Sequence, residues 1–186
     1  MTPTMWTRPE CSPRIPEHTL ARYPDSVRSA RQHTAPELTR MVAMLQEAGA
    51  ESIAIGHGRH PASVAAARAV QAAWTTAGGS ALDSADWPET AASWLRPARR
   101  LTAGAPDAWV LAASIAGCAQ VVRRLAQQAN WTPARTVGFA GLASDDLVAL
   151  AAPISLAGMT GPTATGGTWR IGDDHVLLTD EPHRLR

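Results

Sequence analysis

Apolar residues along this chain switch repeatedly between two spacings. Over residues 34–48, Leu38, Met41, Val42 and Leu45 recur at the three-and-four interval of one helix face. Thr34 suits the cap of that helix, Pro36 its first turn and Glu37 its positive end, and Gly49 terminates it. An unbroken apolar run at 52–55 then predicts a buried strand, and 61–76 a second helix closed by Gly78-Gly79. The exchange continues with a weak strand at 80–86, a helix from Trp87-Pro88-Glu89 to about Leu95, and a polar turn region over 96–106. A third strand follows at 108–113, a small-residue turn at 114–117, and a helix over 118–129 with Val121, Val122 and Leu125 inward. A fourth strand at 136–139, a short helix at 145–151 capped by Ser144 and a fifth strand at 153–156 complete the series.

The predicted strands are uniformly apolar rather than alternating, as burial on both faces requires. Strand and helix alternate, so the expected fold is α/β: a three-layer α/β/α sandwich on a five-stranded parallel sheet, flavodoxin-like. The chain divides into an N-terminal arm and short helix (1–33), the α/β domain (34–156) and a C-terminal segment (157–186). The arm is rich in proline, with Trp6 and Tyr23 either packed on the domain or anchoring it to a second subunit. The C-terminal segment is glycine-rich, and its apolar stretches at 168–171 and 175–179 read as a β-hairpin that adds to a sheet edge or to another subunit.

Composition narrows the chemistry. The net charge is +1, and all 17 basic residues are arginine, so no lysine is present for Schiff-base chemistry or covalently held pyridoxal phosphate. The signs are mixed, with no basic run beyond Arg99-Arg100 and Arg123-Arg124, which argues against nucleic-acid binding. The two cysteines, Cys11 and Cys118, are too few and too far apart for a disulfide framework or a four-cysteine zinc site. With no signal-peptide pattern and no membrane-length apolar stretch, the expected setting is a reduced cytoplasm, without a membrane partner.

The densest candidate chemistry lies where the first strand turns into its helix, in Gly56-His57-Gly58-Arg59-His60-Pro61. His57 and His60 suit either an acid/base pair or two ligands of a metal, with no further ligand spaced to complete the latter. Arg59 is able to grip a phosphate or carboxylate, or is a solvated loop residue. Glu89 is a proton-transfer carboxylate or a charge placed at a helix start; Asp83 and Asp86 share that ambiguity. The second turn carries Ser114, Gly117 and Cys118. At a helix N-terminus Cys118 is expected to have a lowered pKa, or else to be a small buried residue. Ser63 and Ser144 read as helix caps. Seven tryptophans accompany one tyrosine and one phenylalanine; Trp74, Trp94 and Trp109 fit a core, and Trp131 and Trp169 a pocket or interface.

This order of elements resembles the sugar isomerase (SIS) domain, the phosphosugar-binding module of glucosamine-6-phosphate synthase-like isomerases. The matching pieces are Ile15-Pro16-Glu17-His18, Glu47-Ala48-Gly49-Ala50, Leu82 to Asp86, Asp107 to Ser114, and Thr136-Val137-Gly138-Phe139 with Ser144 to Leu147. The family's phosphate loop, about Ser-x-Ser-Gly-x-Thr, stands here as Ser114-Ile115-Ala116-Gly117-Cys118-Ala119, with two hydroxyls missing. Its first turn, Gly-x-Gly-x-Ser, has His60 in place of the serine. The resemblance implies an anionic sugar or sugar phosphate held by Gly56, Gly58, Arg59, Ser114, Gly117 and Cys118. Catalysis would fall to His57, His60 or Glu89 in an aldose–ketose isomerase or a degenerate binding version of one. It further implies a homodimer or pairing with a related SIS protein, with no cofactor and no metal. Two alternatives remain: a small cobalt/sirohydrochlorin-type chelatase, because His57-Gly58-Arg59-His60-Pro61 is similar to that family's opening motif, with His175 as the second ligand; and a non-enzymatic assembly partner.

Overall fold

The computed structural model describes residues 14–179. The expectations for Trp6, Cys11 and most of the N-terminal arm lie outside these residues. The helices are α1 (Glu17–Leu20), α2 (Ala35–Glu47), α3 (Pro61–Thr76), α4 (Leu95–Ala103), α5 (Ile115–Leu125) and α6 (Asp145–Ala151). The strands are β1 (Ser52–Gly58), β2 (Ser80–Trp87), β3 (Ala108–Ala112), β4 (Thr136–Gly138), β5 (Thr160–Pro162), β6 (Thr168–Ile171) and β7 (Val176–Thr179).

They form one α/β unit on a seven-stranded sheet in the order β2-β1-β3-β4-β5-β6-β7. The sheet is mixed, which corrects the expected five-stranded parallel sheet: neighbours from β2 to β5 run parallel, and β6 and β7 are antiparallel additions. The predicted hairpin is the β6–β7 pair, and it extends the sheet's edge. The fifth strand is at 160–162, not 153–156; the earlier stretch begins at a cis Ala152–Pro153 bond and lacks a strand ladder. The polar region 96–106 contains α4, while 88–94, expected as helix, is irregular because β2 stays extended through Trp87.

Side-chain alternation divides the core into two layers. Ile53, Ile55, Ala108, Val110 and Ala112 pack with Met41 and Leu45 of α2 and with Ala66, Val70 and Trp74 of α3. Ala54, Trp87, Trp109 and Leu111 pack on the other face with α4, α5 and α6. Every residue of β3 is buried. The leader belongs to this second layer: Ile15 and Val27 are buried, Tyr23 packs beside them, and the Ile15 amide donates to Gln120. Trp131 and Trp169, expected to line a pocket or interface, are both packed in the core, and Trp169 also borders a cavity of about 360 Å³.

The start of α2 is fastened to the end of β4. The Glu37 carboxylate, 2% exposed, accepts from the Thr34 amide (3.1 Å) and from the Ala140 amide (2.5 Å), while the Thr34 hydroxyl accepts from the Glu37 amide. Thr34 is the cap expected, and with Glu37, expected only as a charge at the helix's positive end, it forms a reciprocal capping box to which a long-range bond is added. Glu37→Ala removes two charge-assisted bonds and leaves a buried amide unpaired, so it is expected to cost about 2–4 kcal/mol. Urea unfolding measures this, and a loss under about 0.5 kcal/mol would show that the tether contributes little.

Candidate functional site

A parallel sheet delivers all its strand-to-helix turns to one edge, so the loops after β1, β2 and β3 meet there. β1 lies between β2 and β3, with Gly58 beside Trp87 and His57 between Asp86 and Ala112. The alternation seen in the core carries into this edge. Gly56 and Gly58 face the α4/α5 side, and His57 faces the α2/α3 side.

The centre of the edge is Glu89. Its Oε2 accepts a short hydrogen bond from the Ser114 hydroxyl, and that oxygen in turn accepts from the Gly117 amide at 3.0 Å. Ser114 is thus both the cap of α5 and the hold on the carboxylate. Two glycines make the room. A Cβ on Gly58 would stand 2.5 Å from Glu89 Oε1, and one on Gly117 2.6 Å from Oε2. Three buried polar atoms around the same spot have no hydrogen-bond partner among the described residues: Glu89 Oε1, Ser63 Oγ and Trp87 Nε1. Burial pushes the Glu89 carboxyl above its ordinary value, against the opposing pull of the Ser114 hydrogen bond and the nearby His60.

The other predicted residues distribute differently. Arg59 is bonded to Asp86 at 2.5 Å, and that guanidinium holds the Asp86 carboxyl below its ordinary value. The pair is exposed, so it contributes at most about 1 kcal/mol. His57 Nδ1 is 2.9 Å from the Gly58 carbonyl, to which it donates. His60 is the cap of α3, its Nδ1 accepting from the Ala62 amide, so the cap is His60 and not the expected Ser63. Gly56 is under Trp87, Leu101 and Leu111, each within 3.0 Å of where its Cβ would be, and is a packing residue. Cys118 is the small buried residue of the two readings: it is fully buried, and desolvation aided by the Glu89 charge raises its pKa, the reverse of a helix-start thiolate. Asp83 pairs with Arg100. Ser144 caps α6 as expected.

Ser63 and Trp87 are site residues that the sequence reading missed. Ser63 lies in the first turn of α3 after a Gly-rich loop, which places it at the strand edge. Trp87 carries no such signal, because its indole reaches the site only once β1 and β2 are paired.

No group of three or more metal-capable side chains occurs among the described residues. His57 and His175, the paired ligands of the chelatase alternative, are on elements five strand spacings apart, or about 24 Å. Beside the site, a basin of about 410 Å³ is lined by Arg59, Asp86, Trp87, Ser93, Arg96 and Arg100, among others.

The family model described as "Periplasmic binding protein" matches residues 17–175. No curated protein matches the chain. Among solved structures, an extracellular ligand-binding receptor from Rhodopseudomonas palustris is similar, with 15% identity and a TM-score of 0.60 over 74% of this chain and 38% of its own. A candidate branched-chain amino acid ABC transporter protein from Rhodospirillum rubrum shows 20% identity and a TM-score of 0.56, covering 70% of this chain and 39% of its own. A substrate-binding periplasmic protein from Ralstonia solanacearum shows 17% identity and 0.56, covering 68% and 37%. The chain therefore spans less than two fifths of the length of each of these structures.

The family match overturns the SIS resemblance and what it carried: the phosphosugar isomerase, the anionic-sugar partner, and the homodimer or pairing with a related SIS protein. The chelatase and assembly-partner alternatives fall with it. The cytoplasmic setting and the exclusion of a membrane partner conflict with the same match. The physical reason is that strand, glycine turn and helix recur in many doubly wound domains. Of the loop hydroxyls specific to the sugar isomerases, this chain keeps Ser114 and lacks the two replaced by Ala116 and Ala119.

A carboxyl whose folded-state pKa is raised keeps its proton longer in the native than in the unfolded chain. The native state thus binds more protons just above the ordinary glutamate value of 4.5, and Glu89 makes stability fall as pH rises through that window. Glu89→Gln is expected to remove this component, so that mutant minus wild-type stability grows as pH rises above the ordinary glutamate value of 4.5 and then levels. Urea midpoints at several pH values test it; a constant difference would show that Glu89 does not titrate there.

Proposed function

We propose that this chain, which belongs to the periplasmic binding protein family, binds a small organic solute at the C-terminal edge of its sheet and passes it to a membrane transporter. The observation that carries this reading is the cradle of Gly58, Ser63, Trp87, Ser114 and Gly117. It combines two glycines, one ending β1 and one in the first turn of α5, with buried donors that have no partner among the described residues. Such a place admits a ligand's polar group close to backbone and rewards it with hydrogen bonds at a helix N-terminus. The adjoining basin offers room for the remainder of the molecule.

The described relatives supply the class. They are ligand-binding proteins, one of them tied to a branched-chain amino acid ABC transporter. On that basis the solute is amino-acid-sized, the partner is the membrane component of such a transporter, and the setting is outside the cytoplasm. Arg59, by this reading, lines the basin with Asp86. His57 and His60 shape the β1 turn, through a carbonyl bond and a helix cap, and have no proton-transfer role.

Thermal unfolding and titration calorimetry against leucine, isoleucine, valine and short monocarboxylates test the proposal. At least one is expected to raise the unfolding temperature in a saturable way. Ser114→Ala should weaken that solute by roughly 10-fold or more, the value of one charge-assisted hydrogen bond. No response to any solute at millimolar concentration, or equal affinity in Ser114→Ala, would count against this site.

A further inference from the structure

We infer that the cradle is a carboxylate site and that Glu89 is its tethered occupant, so that a small carboxylate solute binds by taking the place of the Glu89 carboxyl. This rests on the solute-binding reading of the same edge and names the group that enters it.

Shape comes first. Gly58 and Gly117 flank the Glu89 carboxyl from two different elements, and each would put a Cβ within 2.6 Å of a different one of its oxygens. Their backbones therefore bound a slot with the width of a carboxylate. Either glycine replaced by any other residue would fill it.

The donors in the slot exceed what Glu89 uses. Ser114 is 1% exposed and gives its hydroxyl to Oε2. Ser63, 2% exposed, has its Oγ 3.5 Å from the Cβ position of Gly58, and Trp87, 0% exposed, has its Nε1 3.2 Å from that of Gly117. Among the described residues both hydrogens are without a partner, and so is Glu89 Oε1. Ser63 and Ser114 also belong to the N-terminal ends of α3 and α5, helices of 16 and 11 residues, whose dipoles favour negative charge. A hydroxyl pair, an indole N–H and two helix N-termini form a set of donors for an anion. A cation finds only one carboxylate there.

Glu89 leaves part of this set unused. It reaches the slot on a side chain joined to the irregular segment between β2 and α4. A free carboxylate has no such restraint and is able to shift until Ser63 and Trp87 both donate. Among the described residues no arginine is paired with Glu89, and Arg59, which follows Gly58 in the chain, is held by Asp86. Its departure into solvent therefore breaks one side-chain hydrogen bond and no ion pair. The residues that have to move are Pro88 to Ser93, between the paired Trp87 and the buried Trp94, and Pro88, Ala91 and Ser93 already line the basin beside them.

The test is chemical replacement. In Glu89→Ala, acetate should bind in a saturable way and raise the unfolding temperature, while sodium chloride at equal ionic strength does not. Wild type at the same acetate concentration should shift little. Adding Ser114→Ala to Glu89→Ala should cut acetate affinity by about 10-fold or more. Glu89→Gln, which keeps the volume, serves if the alanine variant folds poorly; its neutral amide should yield to acetate at least several-fold more readily than wild type does. The inference is overturned if acetate acts equally on wild type and both Glu89 variants, or on none of them. It is also overturned if methylammonium stabilises wild type and loses that effect in Glu89→Gln, because Glu89 would then be the ligand's counter-charge. These results are separate from the solute panel: a wild type that binds an amino acid while its Glu89 variants gain nothing for acetate keeps the solute-binding reading and discards the tethered occupant.

Discussion

A parallel ladder buried on both faces is the constraint from which this structure follows. β3 has no exposed residue, and its neighbours β1 and β4 are nearly as enclosed. Each parallel connection must cross over the sheet, so α3, α4, α5 and α6 are obligatory covers as well as links. The same connectivity places every strand exit at one edge. The site exists there because backbone amides and helix starts converge, whichever side chains they carry. The antiparallel β6 and β7 do not obey this rule, and they lie at the far side of the sheet from β1 and β2.

Much of that ladder is readable in the amino-acid pattern. The α3 bounds, the α2 cap with its terminal glycine and the runs of β1 and β3 follow from propensity and periodicity alone, because local and tertiary preferences agree there. Where they disagree, the reading fails. Arg96, Arg99 and Arg100 make 96–106 look like a polar loop, yet Ala98 and Leu101 bury one stripe of α4 and Pro97 falls in its first turn, where proline is tolerated. Trp87-Pro88-Glu89 looks like a helix start, but pairing of Trp87 with Gly58 holds the chain extended. For β5, Val137 beside Thr160 is a single pair, too little to leave a sequence signature.

The site was legible in place and less so in content. Both loops, Gly58 in one and Ser114-Gly117 in the other, meet as the doubly wound order requires. Glu89 joins them for a reason no local pattern carries: two glycines distant in sequence leave a gap that its carboxyl fills. His57 illustrates the opposite case. It is a neighbour of Gly58 in sequence, but strand alternation turns it to the other face, away from Glu89. The loss of family hydroxyls in 114–119 was visible from the start, and it pointed away from the sugar isomerases.

Glu89 also shows how a carboxyl stays in such a place without a salt-bridged arginine, with His60 nearby. Its charge is opposed by burial, which raises its pKa, and is supported by Ser114 and the start of α5. Those supports belong to the backbone and to one hydroxyl, so they persist whichever carboxylate is present. A salt-bridged arginine would have tied the site to one geometry; Arg59 has instead been drawn to Asp86, one strand position before Trp87. What holds Glu89 is therefore the Ser114 hydroxyl and the start of α5, acting against a burial that favours the neutral acid.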